Sequence, residues 1–127
     1  MHILVVDDKA AVREKVGGLL TQLGYTYECA NNGLDALEKA QVQTFNLYII
    51  DHLMPVMNGI QLIKNLKSKQ ETANIPVIFM TTQDLNSLHN VKELKQCQEI
   101  IAKPINEETF FQLINKLLVE NSLVHSL

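Results

Sequence analysis

The sequence predicts an α/β domain in which five strands alternate with five helices, (βα)5, and form an open, doubly wound parallel sheet. Two observations predict this fold. Five short apolar runs have the length and the β-branched content of strands, and segments with a helical period lie between them. Strict alternation with short connections requires right-handed crossovers, which place helices on both faces of a parallel sheet.

Each candidate strand is a short run rich in apolar residues. The runs cover residues 2–6, 25–30, 46–50, 75–80 and 98–102. Those around Ile49 and Ile78 are nearly continuous in apolar residues, as expected of strands that helices cover on both faces.

The first and last helices have the clearest apolar faces, with apolar residues recurring at helical spacings. These residues are Val12, Val16, Leu19, Leu20 and Leu23 in the first helix, and Phe110, Leu113, Ile114, Leu117 and Leu118 in the last. Weaker patterns predict helices at about residues 33–43, 59–68 and 84–96. The third of these rests on the recurrence of Leu85, Leu88, Val91 and Leu94.

Length and charge limit the function classes. A chain of 127 residues, 46% hydrophobic and 20% charged, suits one compact domain. We assign residues 1–120 to this domain and residues 121–127 to a tail that extends the last helix or begins a linker. The net charge of −3 provides no basic field for nucleic acid, so direct binding to DNA or RNA is not expected.

The sequence also bears on the compartment. Its longest apolar runs are far shorter than the roughly 20 residues that cross a bilayer, and the N-terminus turns acidic at once, unlike a signal peptide. We therefore expect a cytoplasmic protein with no membrane partner. Cys29 and Cys97 are expected to be reduced thiols.

Polar side chains follow four of the predicted strands. Asp7 and Asp8 follow the first, Asp51 the third, Thr81 the fourth and Lys103 the fifth. In open α/β sheets, ligands bind in the crevice beyond the carboxyl ends of the strands. We therefore expect these side chains to converge at one edge of the sheet.

The three carboxylates at this edge require positive charge. Carboxylates about 4 Å apart repel by roughly 4 kcal/mol per pair at an effective dielectric near 20. Lys103 supplies one positive charge, and clustered oxygen ligands suit Mg²⁺, which usually leaves coordination positions for phosphate oxygens. Asp51 is then a plausible nucleophile, because carboxylates form aspartyl-phosphate intermediates.

With these residues placed, the chain resembles the receiver domain of two-component response regulators, in particular the single-domain, chemotaxis-regulator-like members, over residues 2–119. The motifs that carry the resemblance are "LVVDD" at 4–8, "DHLMPVMNG" at 51–59, "IFMTT" at 78–82 and "KP" at 103–104. Each motif alone is weak, but together and in this order they are specific. The resemblance implies a flavodoxin-like strand order, 2-1-3-4-5.

The resemblance also implies roles for the site residues. Asp51 would accept a phosphoryl group from a sensor histidine kinase, a phosphotransfer protein or a small phosphodonor. Asp8, Asp51 and the backbone carbonyl of Leu53 would hold Mg²⁺, with Asp7 acting through water. Lys103 would contact the phosphoryl group, and the Thr81 hydroxyl would turn towards it. The domain would then be a switch rather than a turnover enzyme, because phosphorylation would change its affinity for a downstream protein. A phosphorylation-dependent dimer is also compatible with this role.

Some positions depart from the pattern of the family. Relatives commonly place an aromatic residue three positions before the lysine, where this chain has Ile100. Leu53 and Gln83 occupy positions that tune access of the attacking water, and an apolar Leu53 cannot orient that water. A long-lived phosphoryl state is therefore expected. The resemblance further implies a cis peptide bond between Lys103 and Pro104.

Other functions stay open beside this one. They are a receiver-like binding module that works without phosphorylation, the N-terminal receiver of a longer effector protein, and a Mg²⁺-dependent phosphohydrolase. The phosphohydrolase is disfavoured because no carboxylate stands two residues after Asp51 to act as a general acid. Taken alone, Asp7 and Asp8 could be nothing more than a helix cap.

Two further groups of residues have no role in this interpretation. The histidines lack metal-ligand spacing and are expected to face solvent or lie at edges, with His52 bordering the cleft. They are His2, His52, His89 and His125. Gly17 and Gly18 lower the helix propensity of the first helix, which indicates close packing or the approach of a partner.

Overall fold

The computed structural model of the chain describes residues 1–120 and contains one five-stranded sheet. The strands are arranged in the order β2-β1-β3-β4-β5, and all neighbouring pairs are parallel. This arrangement confirms the predicted fold and strand order. The tail assigned to residues 121–127 lies outside the described residues.

The strands lie within two residues of their predicted positions. They are β1 (His2–Val6), β2 (Thr26–Ala30), β3 (Leu47–Asp51), β4 (Val77–Thr81) and β5 (Glu99–Ala102). Every residue of β3 and β4 is buried, as their nearly continuous apolar character predicts. Asp51 and Thr81 are therefore the last residues of two buried strands.

The α-helices cover both faces of the sheet. They are α1 (Ala10–Gln22), α2 (Gly33–Val42), α3 (Gly59–Lys67), the single turn α4 (Gln70–Ala73) and α5 (Glu107–Ile114). A π-helical segment, Asn115–Glu120, continues α5 beyond Ile114. Leu117 and Leu118 of this segment are buried. No helix within residues 1–120 is long and apolar enough to cross a membrane.

The helix predicted at residues 84–96 is wrong. The structure has two short 3₁₀ segments there, Leu85–Leu88 and Lys92–Gln96. The apolar residues of this stretch recur every three positions, which matches the three residues per turn of a 3₁₀-helix better than the 3.6 of an α-helix. Leu88 and Leu94 are buried in the core cluster that also contains Phe79 of β4, whereas Leu85 is exposed.

Successive residues of the strands contribute to two separate core clusters. Leu4 and Val6 of β1 pack with residues of α2 and α3, whereas Ile3 and Val5 pack with residues of α1 and α5. This alternation follows from the two-residue period of a strand. Since both faces are buried, the carboxyl edge of the sheet is left as the place where polar side chains gather.

The two adjacent glycines of α1 have different surroundings. A Cβ atom at Gly17 would overlap the ring of Tyr27 on β2, whereas a Cβ atom at Gly18 would have nothing within 4 Å. Close packing therefore accounts for Gly17 but not for Gly18. Cys29 and Cys97 are free thiols, in agreement with the expectation from composition.

We predict different effects of alanine at these two positions. Gly18→Ala should stabilise the fold by about 0.5–1 kcal/mol, because alanine has the higher helix propensity and the site is open. Gly17→Ala should be less stable than Gly18→Ala by about 1–3 kcal/mol, because the Tyr27 ring must be displaced. Urea unfolding of both variants and the parent measures the difference, and equal stabilities of the two variants would contradict the packing account.

Candidate functional site

Three carboxylates converge at the carboxyl edge of the sheet. Asp7 directly follows β1, Asp8 is next to it, and Asp51 ends β3. Each offers one oxygen, and these oxygens all lie within 4.8 Å of one another. Asp7 is 0% exposed and Asp51 is 4% exposed, whereas Asp8 is open to solvent. The predicted convergence of these three residues is confirmed.

Lys103 joins the two buried carboxylates. Its ammonium Nζ lies 2.8 Å from Asp7 Oδ2 and 2.9 Å from Asp51 Oδ1. The backbone N–H of Lys103 donates to the carbonyl of Thr81 at 2.8 Å, which continues the pairing of β5 with β4. The peptide bond to Pro104 is cis, as predicted.

Asp7 is part of this cluster rather than a helix cap. Its Oδ1 accepts a hydrogen bond from the backbone N–H of Lys9 at 2.9 Å, and its Oδ2 binds Lys103. The residue that caps α1 is Lys9, whose side chain makes no capping hydrogen bond. The alternative interpretation of Asp7 and Asp8 as a simple cap is therefore wrong for Asp7.

The charges of the cluster are incompletely balanced. Burial raises the pKa of Asp51 and the charge of Asp7 raises it further, although Lys103 and the backbone N–H of His52 oppose these effects. Burial alone would lower the pKa of Lys103, but its hydrogen bonds to Asp7 and Asp51 and their charges outweigh burial and raise it. The Lys103 ammonium contacts both buried carboxylates, and the exposed Lys9 ammonium lies 3.8 Å from Asp8, so two positive charges face three carboxylates. This oxygen-only donor set fits a hard divalent cation such as Mg²⁺.

The segment after Asp51 returns directly to the strand end. The backbone N–H of Gly59 donates to the carbonyl of His52 at 2.8 Å, and a Cβ atom at Gly59 would collide with the backbone carbonyl oxygen of Asp51. Asn58 and Gln61 form a capping box at the start of α3. The glycine therefore allows α3 to begin in contact with the strand that carries Asp51, which is a tighter constraint than an ordinary turn.

Thr81 and His52 form a contact that the sequence interpretation missed. His52 is 6% exposed, and its Nδ1 lies 2.9 Å from the Thr81 Oγ1. Its backbone N–H donates to the carbonyl of Met80 at 2.9 Å, so the β3 to β4 pairing continues one residue beyond Asp51. Burial lowers the pKa of the His52 imidazole, and the charge of Asp51 opposes this shift.

The expectation that the histidines face solvent or lie at edges is therefore wrong for His52. The two-residue period of the strand does not indicate this, because every residue of β3 is buried. The burial of His52 follows from the additional pairing with β4. His89 is exposed, and His2 is half-buried and lies 2.9 Å from Glu28. His125 lies outside the described residues.

The remaining site residues are less constrained. The side chains of Leu53 and Gln83 are exposed, and Ile100 is partly buried against the cluster that contains Phe79. The Leu53 carbonyl as a metal ligand stays a prediction.

Comparison with known proteins agrees with this geometry. The family model described as "Response regulator receiver domain" matches residues 3–115. Protein PilH of Pseudomonas aeruginosa is 32% identical over 117 residues, which cover 92% of this chain and 97% of PilH. Several other curated relatives are longer, and the chain spans about half of their length.

Solved structures are similar over the same region. The chemotaxis response regulator CheY4 of Vibrio cholerae has a TM-score of 0.83 and 32% identity, covering 92% of this chain and 98% of CheY4. The response regulator TrrA of Thermotoga maritima, solved in complex with Mg²⁺ and BeF, has a TM-score of 0.83 and 27% identity, with the same coverage. The chain belongs to the response regulator receiver domain family of two-component signalling proteins.

The raised pKa of Asp51 leads to a prediction about stability and pH. Since the folded carboxyl has a pKa above its ordinary value of 3.8, ionisation at neutral pH disfavours the folded state. Asp51→Asn should therefore increase the free energy of unfolding at pH 7 without divalent cations. The gain should shrink as the pH falls through the raised pKa and vanish below the ordinary one.

Urea unfolding at several pH values measures this gain. Asp8→Asn is the matched control, because it removes a solvent-screened carboxylate from the same cluster and should change stability less. A gain for Asp51→Asn that stayed constant across the acid range would contradict the assignment.

Proposed function

We propose that this receiver domain accepts a phosphoryl group on Asp51 and that phosphorylation changes its affinity for a downstream protein. The observation that carries the proposal is the position of the buried Asp51 carboxylate, which binds the Lys103 ammonium and lies within 4.8 Å of two further carboxylates. The domain would comprise residues 1–120, and residues 121–127 would form the tail or the start of a linker.

The reaction is an in-line transfer to a carboxylate oxygen of Asp51. When the donor is a phosphohistidine, a P–O bond forms as the P–N bond breaks, and the released imidazole nitrogen takes a proton. The protein's contribution is positioning and charge neutralisation, with little covalent chemistry beyond the nucleophile. A sensor histidine kinase or a phosphotransfer protein would supply the phosphohistidine.

Lys103 is suited to stabilise the transferred group. Its ammonium is already oriented by Asp7 and Asp51, and only 10% of its side chain is exposed, so little reorganisation is needed. Once Asp51 is phosphorylated to an acyl phosphate, the carboxylate charge is replaced by about −1.5 to −2 charges on the phosphoryl oxygens. Lys103 can then shift its contact from the carboxylate to these oxygens.

Three groups are assigned to a divalent cation. They are Asp8, Asp51 and the backbone carbonyl of Leu53. Asp7 would act through water, which is supported by the fact that both of its carboxylate oxygens already accept hydrogen bonds from Lys9 and Lys103. Bound Mg²⁺ would neutralise charge on the phosphoryl group, and TrrA of Thermotoga maritima was solved with Mg²⁺ and BeF.

The competing functions make different demands on the site. A phosphohydrolase would need a general acid near Asp51, and the residue two positions later is Leu53, which has no acidic group. A binding module without phosphorylation would gain nothing from burying two carboxylates against one lysine, since buried charges are expensive unless they are functional or fully paired. The chain as the N-terminal receiver of a longer effector protein is compatible with the same Asp51 chemistry.

Phosphoryl uptake tests the proposal directly. Incubation with a small phosphodonor and Mg²⁺ should add one phosphoryl group to the parent, as seen by intact mass, and none to Asp51→Ala. Removal of divalent cations with a chelator should suppress the uptake. Asp35→Asn, which changes an aspartate on α2 paired with Lys39, should be phosphorylated like the parent.

No mass increase in the parent would overturn the proposal in favour of a phosphorylation-independent module. Continuous release of inorganic phosphate from phosphate esters would instead favour a phosphohydrolase.

The phosphorylated state should be long-lived. The Leu53 side chain is exposed and apolar, so it cannot hydrogen-bond to the attacking water, and hydrolysis lacks one orienting group. The isolated phosphoprotein should retain its phosphate well beyond seconds, and Leu53→Asn should shorten the lifetime by supplying an amide. Mass spectrometry of samples taken over time after removal of the donor measures both. Loss of the phosphate from the parent within seconds would contradict this expectation.

A further inference from the structure

The hydroxyl of Thr81 is held by two partners in the described structure. His52 Nδ1 lies 2.9 Å from Thr81 Oγ1, and the backbone N–H of Gln83 donates to the same oxygen at 3.0 Å. Thr81 is 1% exposed and His52 is 6% exposed, so water does not compete for these hydrogen bonds. The orientation of the hydroxyl is therefore set by protein groups.

The contact lies on one particular face of the sheet. Ile50 and Phe79 belong to the core cluster packed against α2 and α3, and His52 and Thr81 follow them by two residues on the same strands. Because strand residues alternate between faces, Asp51 belongs to the opposite row. The hydroxyl of Thr81 is thus directed to His52, on the face of the sheet opposite to that of Asp51.

We propose that His52 is a positioning residue that retains the Thr81 hydroxyl in the unphosphorylated arrangement, so that phosphorylation must exchange this hydrogen bond for one to the phosphoryl group. The inference rests on the proposed phosphorylation of Asp51 and names a residue that regulates it. The charges of Asp7, Asp8, Asp51 and Lys103 do not explain why residue 52 is a histidine. The hydrogen bond to Thr81 does explain it, because it uses the ring nitrogen Nδ1.

The environment of His52 makes this exchange unfavourable by itself. The imidazole ring packs against Phe79 with ring centroids 5.1 Å apart, in a buried site. If the Thr81 hydroxyl leaves, Nδ1 loses its partner where solvent cannot replace it, and an unsatisfied buried polar group is disfavoured. The contact therefore biases the domain towards its unphosphorylated form.

Two substitutions separate the hydrogen bond from packing. His52→Leu fills a similar volume without a polar atom, whereas His52→Asn places an amide group near the position of Nδ1 and can still bind Thr81. The readout is the affinity for beryllium fluoride in the presence of Mg²⁺, followed by amide chemical shifts in NMR titrations. His52→Met serves as a second apolar variant if His52→Leu does not fold.

We expect His52→Leu to bind beryllium fluoride about threefold to tenfold more tightly than the parent, the factor that corresponds to a net hydrogen bond of ordinary strength. His52→Asn should stay within about twofold of the parent. In a Thr81→Val background, His52→Leu should have no effect, because the hydrogen bond is already absent. The single variant Thr81→Val should also differ from the parent in the ¹⁵N chemical shift of His52 Nδ1.

The outcomes distinguish this inference from the proposed function. If the parent binds beryllium fluoride and His52→Leu binds it no more tightly than His52→Asn does, the positioning role is wrong and phosphorylation of Asp51 stands. Persistence of the His52→Leu effect in the Thr81→Val background would also overturn it, since the effect would then come from packing. If the parent binds no beryllium fluoride at all, the proposed function fails and this inference fails with it.

Discussion

The site depends on one interaction, the contact of the Lys103 ammonium with the carboxylates of Asp7 and Asp51. In the strand order β2-β1-β3-β4-β5, Lys103 leaves a strand that is two positions from β3. At the typical spacing of about 4.8 Å between strands, the two backbones are roughly 10 Å apart. The Lys103 side chain, the 2.9 Å contact and the Asp51 side chain together span this distance. The flexible four-carbon stem of lysine permits this reach and delivers a compact positive charge. The contact thereby ties the ends of β1, β3 and β5 together.

The charge balance around this contact is incomplete. Two buried carboxylates share one ammonium, and Asp8 adds a third negative charge at the exposed side, where Lys9 lies 3.8 Å away. The fully buried strands β3 and β4 supply the apolar burial that keeps such a cluster in place despite its repulsion. Under the proposed function, the remaining negative charge would attract a divalent cation, and the cation would allow an anionic phosphoryl donor to approach.

The sequence predicted the parts of the structure that follow from local patterns. Apolar runs located the strands, and the rule that ligands gather at the carboxyl edge located Asp7, Asp51 and Lys103. The segment at 84–96 was mistaken for an α-helix because a three-residue period over so few turns is close to a helical one. The burial of His52 depends on one extra residue of pairing between β3 and β4, and the distinct roles of Gly17 and Gly18 depend on Tyr27 in another element. These are long-range contacts that no local window contains.

The same connections indicate how a change at the site reaches the surface of the domain. The Thr81 hydroxyl accepts from the backbone of Gln83, and the next residue, Asp84, caps the 3₁₀ segment Leu85–Leu88 through the N–H of Asn86. A short 3₁₀ segment has few hydrogen bonds of poor geometry, so it rearranges at lower free energy than an α-helix of the same length. Ile100 packs on the cluster that contains Leu88 and has no ring to rotate. If phosphorylation displaces Thr81 as proposed, the backbone after β4 would transmit the displacement, and this path would not need an aromatic residue at position 100.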